Sequence, residues 1–255
     1  QNFKLIKRQI EEIQPDIVVL IDYPGFNLRL LPWLHEKGIK TVYYIAPQAW
    51  AWKESRVHTM ARYIDQLVVI LPFEQAFFSE RGVPTEFVGH PLQQEISDTL
   101  SPKEDKIALL PGSRAQEIRA ILPRMLAAME YFPDYQFQLA AMSYLGEDFY
   151  HSIIGDRPVS ILWDSSDDVI RTSKLAWVSS GTATLQTALY LTPLIVCYRS
   201  GWLNYQLAKR LIQVPYIPLV NLIFDRPVVK ELIQENFSVE NLTHETKDLL
   251  EEKNY

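Results

Sequence analysis

Two glycine turns in this chain have the residue types for binding a phosphate. Pro111-Gly112-Ser113-Arg114 follows the apolar run Ile107-Ala108-Leu109-Leu110, and about 70 residues later Ser179-Ser180-Gly181-Thr182-Ala183-Thr184 follows Leu175-Ala176-Trp177-Val178. A strand that breaks on glycine into a helix leaves unpaired N–H groups at the positive end of the helix dipole, and glycine lets anion oxygens come close. Arg114 adds a fixed fork of donors that matches a phosphate or diphosphate. Either turn alone could be an ordinary strand-to-helix connection with Arg114 in solvent. Two of them in one predicted domain, one carrying an arginine, point to a shared anion.

Asp22 ends the run Asp16-Ile17-Val18-Val19-Leu20-Ile21 and precedes Pro24-Gly25. A carboxylate at the carboxyl edge of a strand can act as general base toward a sugar hydroxyl; it can equally be a turn or helix-capping aspartate. The segment Tyr43-Tyr44-Ile45-Ala46-Pro47-Gln48-Ala49-Trp50-Ala51-Trp52-Lys53 is rich in aromatics for a strand end and its loop. It reads either as core packing beside a hinge, or as the wall of a cleft for a lipid-linked or sugar ligand with Gln48, Trp50 and Trp52 in contact. Lys53, Arg56 and Arg62 nearby form a basic face. His90, in Val88-Gly89-His90-Pro91, closes the first domain, where it can face the cleft or act as a hinge residue. The histidines 35, 58, 90, 151 and 244 lack the spacing of metal ligands, so no metal and no cofactor are expected. Cys197 sits in Leu194-Ile195-Val196-Cys197-Tyr198 and reads as a small buried hydrophobe rather than a nucleophile.

The elements that must position these residues alternate. A helix over residues 3–13 feeds a fully buried parallel strand at 16–21; further strands are predicted at 41–45, 66–71 and 85–89, with helices through 33–37 and 73–81. Between 90 and 106 the apolar pattern fails and charge rises, as in a linker. A second set follows: strands at 107–110, 136–140, 159–162, 175–178 and 193–197, separated by helices at 116–130, 146–154, 166–173 and 182–190. The fold class is α/β, with two Rossmann-like domains facing a central cleft: residues 1–92, a linker at 93–106, and residues 107–255. At 255 residues and 47% hydrophobic the chain can bury both cores. A net charge of -6 argues against a nucleic-acid partner. A single cysteine fits a reducing compartment such as the cytoplasm, and no apolar run is long enough to span a bilayer. The chain opens in a helix that leads into an interior-type strand, so its start is expected to be incomplete.

These residues, in order and spacing, resemble the lipid-A-disaccharide synthases, inverting glycosyltransferases of the GT-B fold. The likeness is carried by residues 16–27, Ala46-Pro47-Gln48-Ala49-Trp50-Ala51-Trp52, Val88-Gly89-His90-Pro91, Leu109-Leu110-Pro111-Gly112-Ser113-Arg114, Ser180-Gly181-Thr182-Ala183 and Asn221-Leu222-Ile223. The resemblance implies transfer of 2,3-diacylglucosamine from its UDP conjugate to 2,3-diacylglucosamine 1-phosphate, giving lipid A disaccharide 1-phosphate and UDP without a metal. It places Asp22 on the family's base and Arg114 on its essential arginine. It assigns UDP contacts to Gly112, Ser113, Arg114, Gly181, Thr182, Gln186 and Asn221, in an acceptor-then-donor domain order. Gln186 stands where the family usually has a glutamate. The family's opening stretch, with an apolar membrane-facing segment, would lie ahead of Gln1, and a helical tail beyond Tyr255. A peripheral place on the cytoplasmic face of the inner membrane is implied, and a homodimer is compatible. The alternatives are a UDP-N-acetylglucosamine 2-epimerase-like enzyme and an inactive nucleotide-sugar or lipid-binding protein.

Overall fold

The computed structural model describes residues 2–96, 101–201, 205–206, 210 and 214–251. The chain divides into two compact units, one of Gln1–Gln93 with Arg210–Val214 and the other of Gln94–Lys209 with Pro215–Tyr255.

In the first unit, strands β1 (Ile17–Ile21), β2 (Lys40–Tyr44), β3 (Gln66–Val69) and β4 (Thr85–Phe87) form a parallel sheet in sequence order. The helices Pro24–Glu36, Arg56–Tyr63 and Pro72–Ser79 connect them. Leu30, Leu31, Leu34, Tyr43, Met60, Leu67 and Phe78 make its core. The continuous apolar run of β1 predicted a strand buried on both faces. Instead β1 is the edge of the described sheet, and Ile17, Val19 and Ile21 are 54%, 56% and 58% exposed. Only Leu20 of this strand is buried, because no other described element covers its second face.

In the second unit, β5 (Glu104–Leu110), β6 (Gln136–Ala141), β7 (Val159–Trp163), β8 (Ser173–Ser179), β9 (Leu194–Tyr198) and β10 (Lys230–Ile233) form a parallel sheet ordered β10-β9-β8-β5-β6-β7. Strand β8 is buried on both faces, with Leu175 and Trp177 in one core and Ala176 and Val178 in the other. Trp177 donates its indole N–H to Thr246 Oγ1 at 2.9 Å, tying the helix Val239–Glu251 to the sheet. The linker predicted over 93–106 is shorter than its charge suggested. A short helix occupies Leu92–Glu95, and β5 begins at Glu104. Lys103 is pinned before it, its ammonium donating to the carbonyls of Arg171 and Tyr190 and to Thr192 Oγ1 at 2.5 to 3.2 Å. Charged residues at the outer end of a strand can keep their side chains in solvent, so charge hid this strand start.

Candidate functional site

The sheet order of the second unit decides where its ligand site lies. From β5 the chain moves outward through β6 and β7, then crosses back to β8 on the other side and continues outward. The crevice at the carboxyl ends of β5 and β8 is therefore a topological switch point, where α/β sheets hold ligands. Both glycine turns emerge there and line one cavity. A Cβ on Gly112 would lie 3.3 Å from Ser179 Oγ and 2.9 Å from the mobile end of the Glu117 side chain, and it is the φ of 111° that demands glycine here. One cavity of about 350 Å³ is lined by Gly112, Ser113, Arg114, Gly181, Thr182 and Gln186.

The helices Ala115–Ala128 and Thr182–Leu189 start on this cavity, and no side chain caps either one. Their first N–H groups can accordingly serve an anion. Arg114 precedes the first helix and bonds Glu117 Oε1 through one terminal nitrogen at 2.8 Å, leaving the rest of the fork available. The hydrogen bond and charge of Glu117 hold the guanidinium more firmly protonated. The Ser113 carbonyl accepts the Tyr144 hydroxyl, which ties the turn to the connection after β6. Gln186 gives its amide N–H to Asp167 Oδ1 at 2.9 Å, and Tyr190 donates to the same oxygen at 2.7 Å. Burial first, and then the Asp167 contact, push the Tyr190 phenol up to about 12. An acceptor-only carboxylate fixes which end of the amide faces it, so Oε1 is the end left for a ligand donor. Asn221 does not join this wall. It is fully buried, its amide bonded to Val229 N and O and to Glu231 Oε1 at 2.8 to 2.9 Å.

Asp22 follows β1 directly, exposed, in a left-handed conformation with φ 42°, and Tyr23 after it has φ 41°. Two such residues in succession are uncommon outside glycine, and strain of this kind persists only where surroundings impose it. Here the imposition is visible. The Tyr43 hydroxyl donates to the Asp22 carbonyl at 2.6 Å, and Asn27 Nδ2 donates to the carbonyls of Asp22 and Ile21 at 2.7 and 3.0 Å. Burial drives the Tyr43 phenol far above its usual range, so it remains a donor. Asp22 does not cap the following helix, whose cap position is Tyr23.

The aromatic segment divides its labour. Tyr43 is core; Trp50 donates its indole N–H to buried Glu74 at 2.9 Å and meets Phe73 edge-on at 5.0 Å; Trp52 carries Lys53 and Arg56 on its ring. The other Glu74 oxygen accepts the N–H groups of Ile70 and Leu71 at 3.3 and 3.0 Å, stapling the loop after β2 to the turn after β3. Gln48 is exposed at the tip of this loop. His90 is half-buried, and its Nδ1 accepts the Leu92 N–H at 3.2 Å as a cap to the short helix there. Sequence reading missed Tyr43 and Asn27 as supports for Asp22, and Glu74 and Asp167 as anchors. Only the Leu71-Pro72-Phe73-Glu74 helix start offered a signal, since glutamate at the third helical position commonly bonds back to the cap.

The sequence model of the family described as lipid-A-disaccharide synthetase matches residues 1–255. The lipid-A-disaccharide synthase of Nitrosococcus oceani is 40% identical over 96% of this chain and 67% of its own length. That of Trichlorobacter lovleyi is 38% identical over 99% of this chain and 70% of its own. Among solved structures, Staphylococcus aureus MnaA with UDP superposes with a TM-score of 0.65 at 10% identity, over 98% of this chain and 69% of that one. The Methanocaldococcus jannaschii UDP-GlcNAc 2-epimerase, in complex with UDP-GlcNAc and UDP, gives 0.59 at 11%, over 97% and 72%. The structural likenesses establish a shared α/β fold.

Proposed function

This chain belongs to the lipid-A-disaccharide synthase family, and from that premise we propose how its residues carry the reaction. The enzyme moves 2,3-diacylglucosamine from UDP to the 6-hydroxyl of 2,3-diacylglucosamine 1-phosphate, with inversion at the anomeric carbon. Asp22 accepts the hydroxyl proton as the new bond forms and the bond to UDP breaks. Arg114, Ser113 and the N–H groups around Gly112, Gly181 and Thr182 meet the negative charge that gathers on the leaving diphosphate. Donors preorganised at developing charge contribute about 2 to 4 kcal/mol each. Gln186, oriented by Asp167, accepts a hydroxyl of the nucleotide.

The observation that carries this reading is the convergence of the two glycine turns on one cavity at the switch point, with Arg114 on its wall. A 2-epimerase shares the fold, but the whole-chain family match is to the transferase. No helix among the described residues is long and apolar enough to cross a membrane. Because both substrates carry acyl chains, the proposal places the enzyme peripherally on the inner membrane's cytoplasmic face. Incubation with both lipids in detergent micelles should release UDP and form the disaccharide 1-phosphate in equal amounts. UDP-N-acetylglucosamine epimerised at C2, with no lipid product, would overturn the reading.

A further inference from the structure

Two cations share one indole ring in the first unit. The Lys53 ammonium lies 4.4 Å from the centre of the Trp52 ring and the Arg56 guanidinium carbon 4.9 Å from it. Neither has a carboxylate within ion-pair distance among the described residues, because the acid between them, Glu54, pairs with Arg81 at 2.8 Å. Lys53 is held left-handed at φ 55°, and its carbonyl accepts the Arg56 N–H at 3.0 Å, so one turn of backbone carries both residues. Aromatic stacking holds each cation only modestly, and two positive charges gathered on one ring attract an anion that reaches it.

The place of this pair is informative. The loop follows β2 and Asp22 follows β1, which are hydrogen-bonded parallel neighbours, so both stand at one carboxyl edge. The Tyr43 hydroxyl feels the charges of both Asp22 and Arg56. Within the reaction above, the two substrates present the same diacylated sugar. They differ at the anomeric position, where one bears a nucleoside diphosphate and the other a phosphomonoester. The phosphomonoester carries nearly two charges and three acceptor oxygens, which suit a guanidinium fork beside an ammonium.

We propose that Arg56, stacked on Trp52 and assisted by Lys53, binds the phosphate of the acceptor glycolipid and makes the first unit selective for a phosphorylated acceptor. The proposal rests on the transferase reading. Its test compares acceptors with and without the anomeric phosphate in detergent micelles, using the wild-type protein, Arg56→Ala and Arg56→Lys, with thermal melts alongside. Arg56→Ala should raise KM for the phosphorylated acceptor about 10- to 100-fold and cut the preference for it by the same factor. Arg56→Lys should fall between, since it keeps the charge and loses the planar fork. Equal losses on both acceptors, or no loss, would overturn the assignment. Glucosamine 1-phosphate, titrated against tryptophan fluorescence, should give a saturable change in the wild type that Arg56→Ala abolishes. That signal without any transfer would sink the reaction and keep the site; transfer without it would do the reverse. Anionic phosphatidylglycerol vesicles separate the remaining source of phosphate. If Arg56→Ala loses vesicle binding but keeps acceptor preference, the pair serves the bilayer and the proposal fails.

Discussion

Replacing Arg114 by alanine removes a side chain that is 80% exposed and, among the described residues, bonds only Glu117, so stability should change by no more than about 0.5 kcal/mol. The barrier to transfer should rise by about 2 to 4 kcal/mol, because in the proposed mechanism the lost donors face charge that forms at the diphosphate. Steady-state kinetics beside a thermal melt checks both, and near-normal turnover would remove Arg114 from the mechanism. Asp22 and the glycine turn that carries Arg114 stood out in the sequence for one reason: each follows an apolar run, and strand ends are where α/β folds put their chemistry. Asn221 was not legible in the same way. Its partners are Val229 and Glu231, at and beside a strand whose pairing the local pattern does not announce, and they turn a polar side chain into a buried staple. Nor could spacing show that Gln186 is held by Asp167, across 19 residues of chain.

At the scale of elements, the strained turn at Asp22 depends on its neighbours. Tyr43→Phe deletes the donor to the Asp22 carbonyl and leaves that oxygen with Asn27. The cost should be about 1 kcal/mol of stability, with a clear fall in turnover, while UDP affinity holds because the cavity belongs to the other unit. Calorimetry with UDP and steady-state kinetics would separate the two, and a matching loss of UDP affinity would contradict the arrangement. Glu74 makes a second element-scale case. Burial raises its carboxyl pKa, so the folded state binds the proton more tightly than the unfolded chain does. Its contribution to stability is therefore fully present at low pH and declines as pH rises from the ordinary glutamate range through the raised value. Melts across that window should show the wild type losing ground to Glu74→Gln; the opposite slope would refute the assignment. Sequence alone left the aromatic loop divided between core and ligand wall. Its residues divide too, since Tyr43 is buried while Trp52 carries cations, and a run of aromatics says nothing about which face each one takes.

For the whole molecule, alternation of strands and helices forecast two parallel α/β units but not their strand order. The order β10-β9-β8-β5-β6-β7 arises from a crossover reversal that no local pattern encodes, and it is what brings turns 69 residues apart, at Gly112 and Gly181, into one wall. The edge position of β1 was equally invisible, because a buried and an edge strand can share the same apolar letters. A peripheral enzyme should co-sediment with anionic vesicles at low salt and release as salt screens its basic residues; binding that is indifferent to salt would speak against the electrostatic part. The central claim is that the first unit supplies the base and the second the leaving-group site. The most direct test is Asp22→Asn, measured for UDP affinity by calorimetry and for turnover of both lipids. The expected result is a UDP Kd within about twofold of wild type and a rate lower by roughly two to four decades. A UDP affinity that falls in step with the rate would contradict the claim and make Asp22 a structural residue.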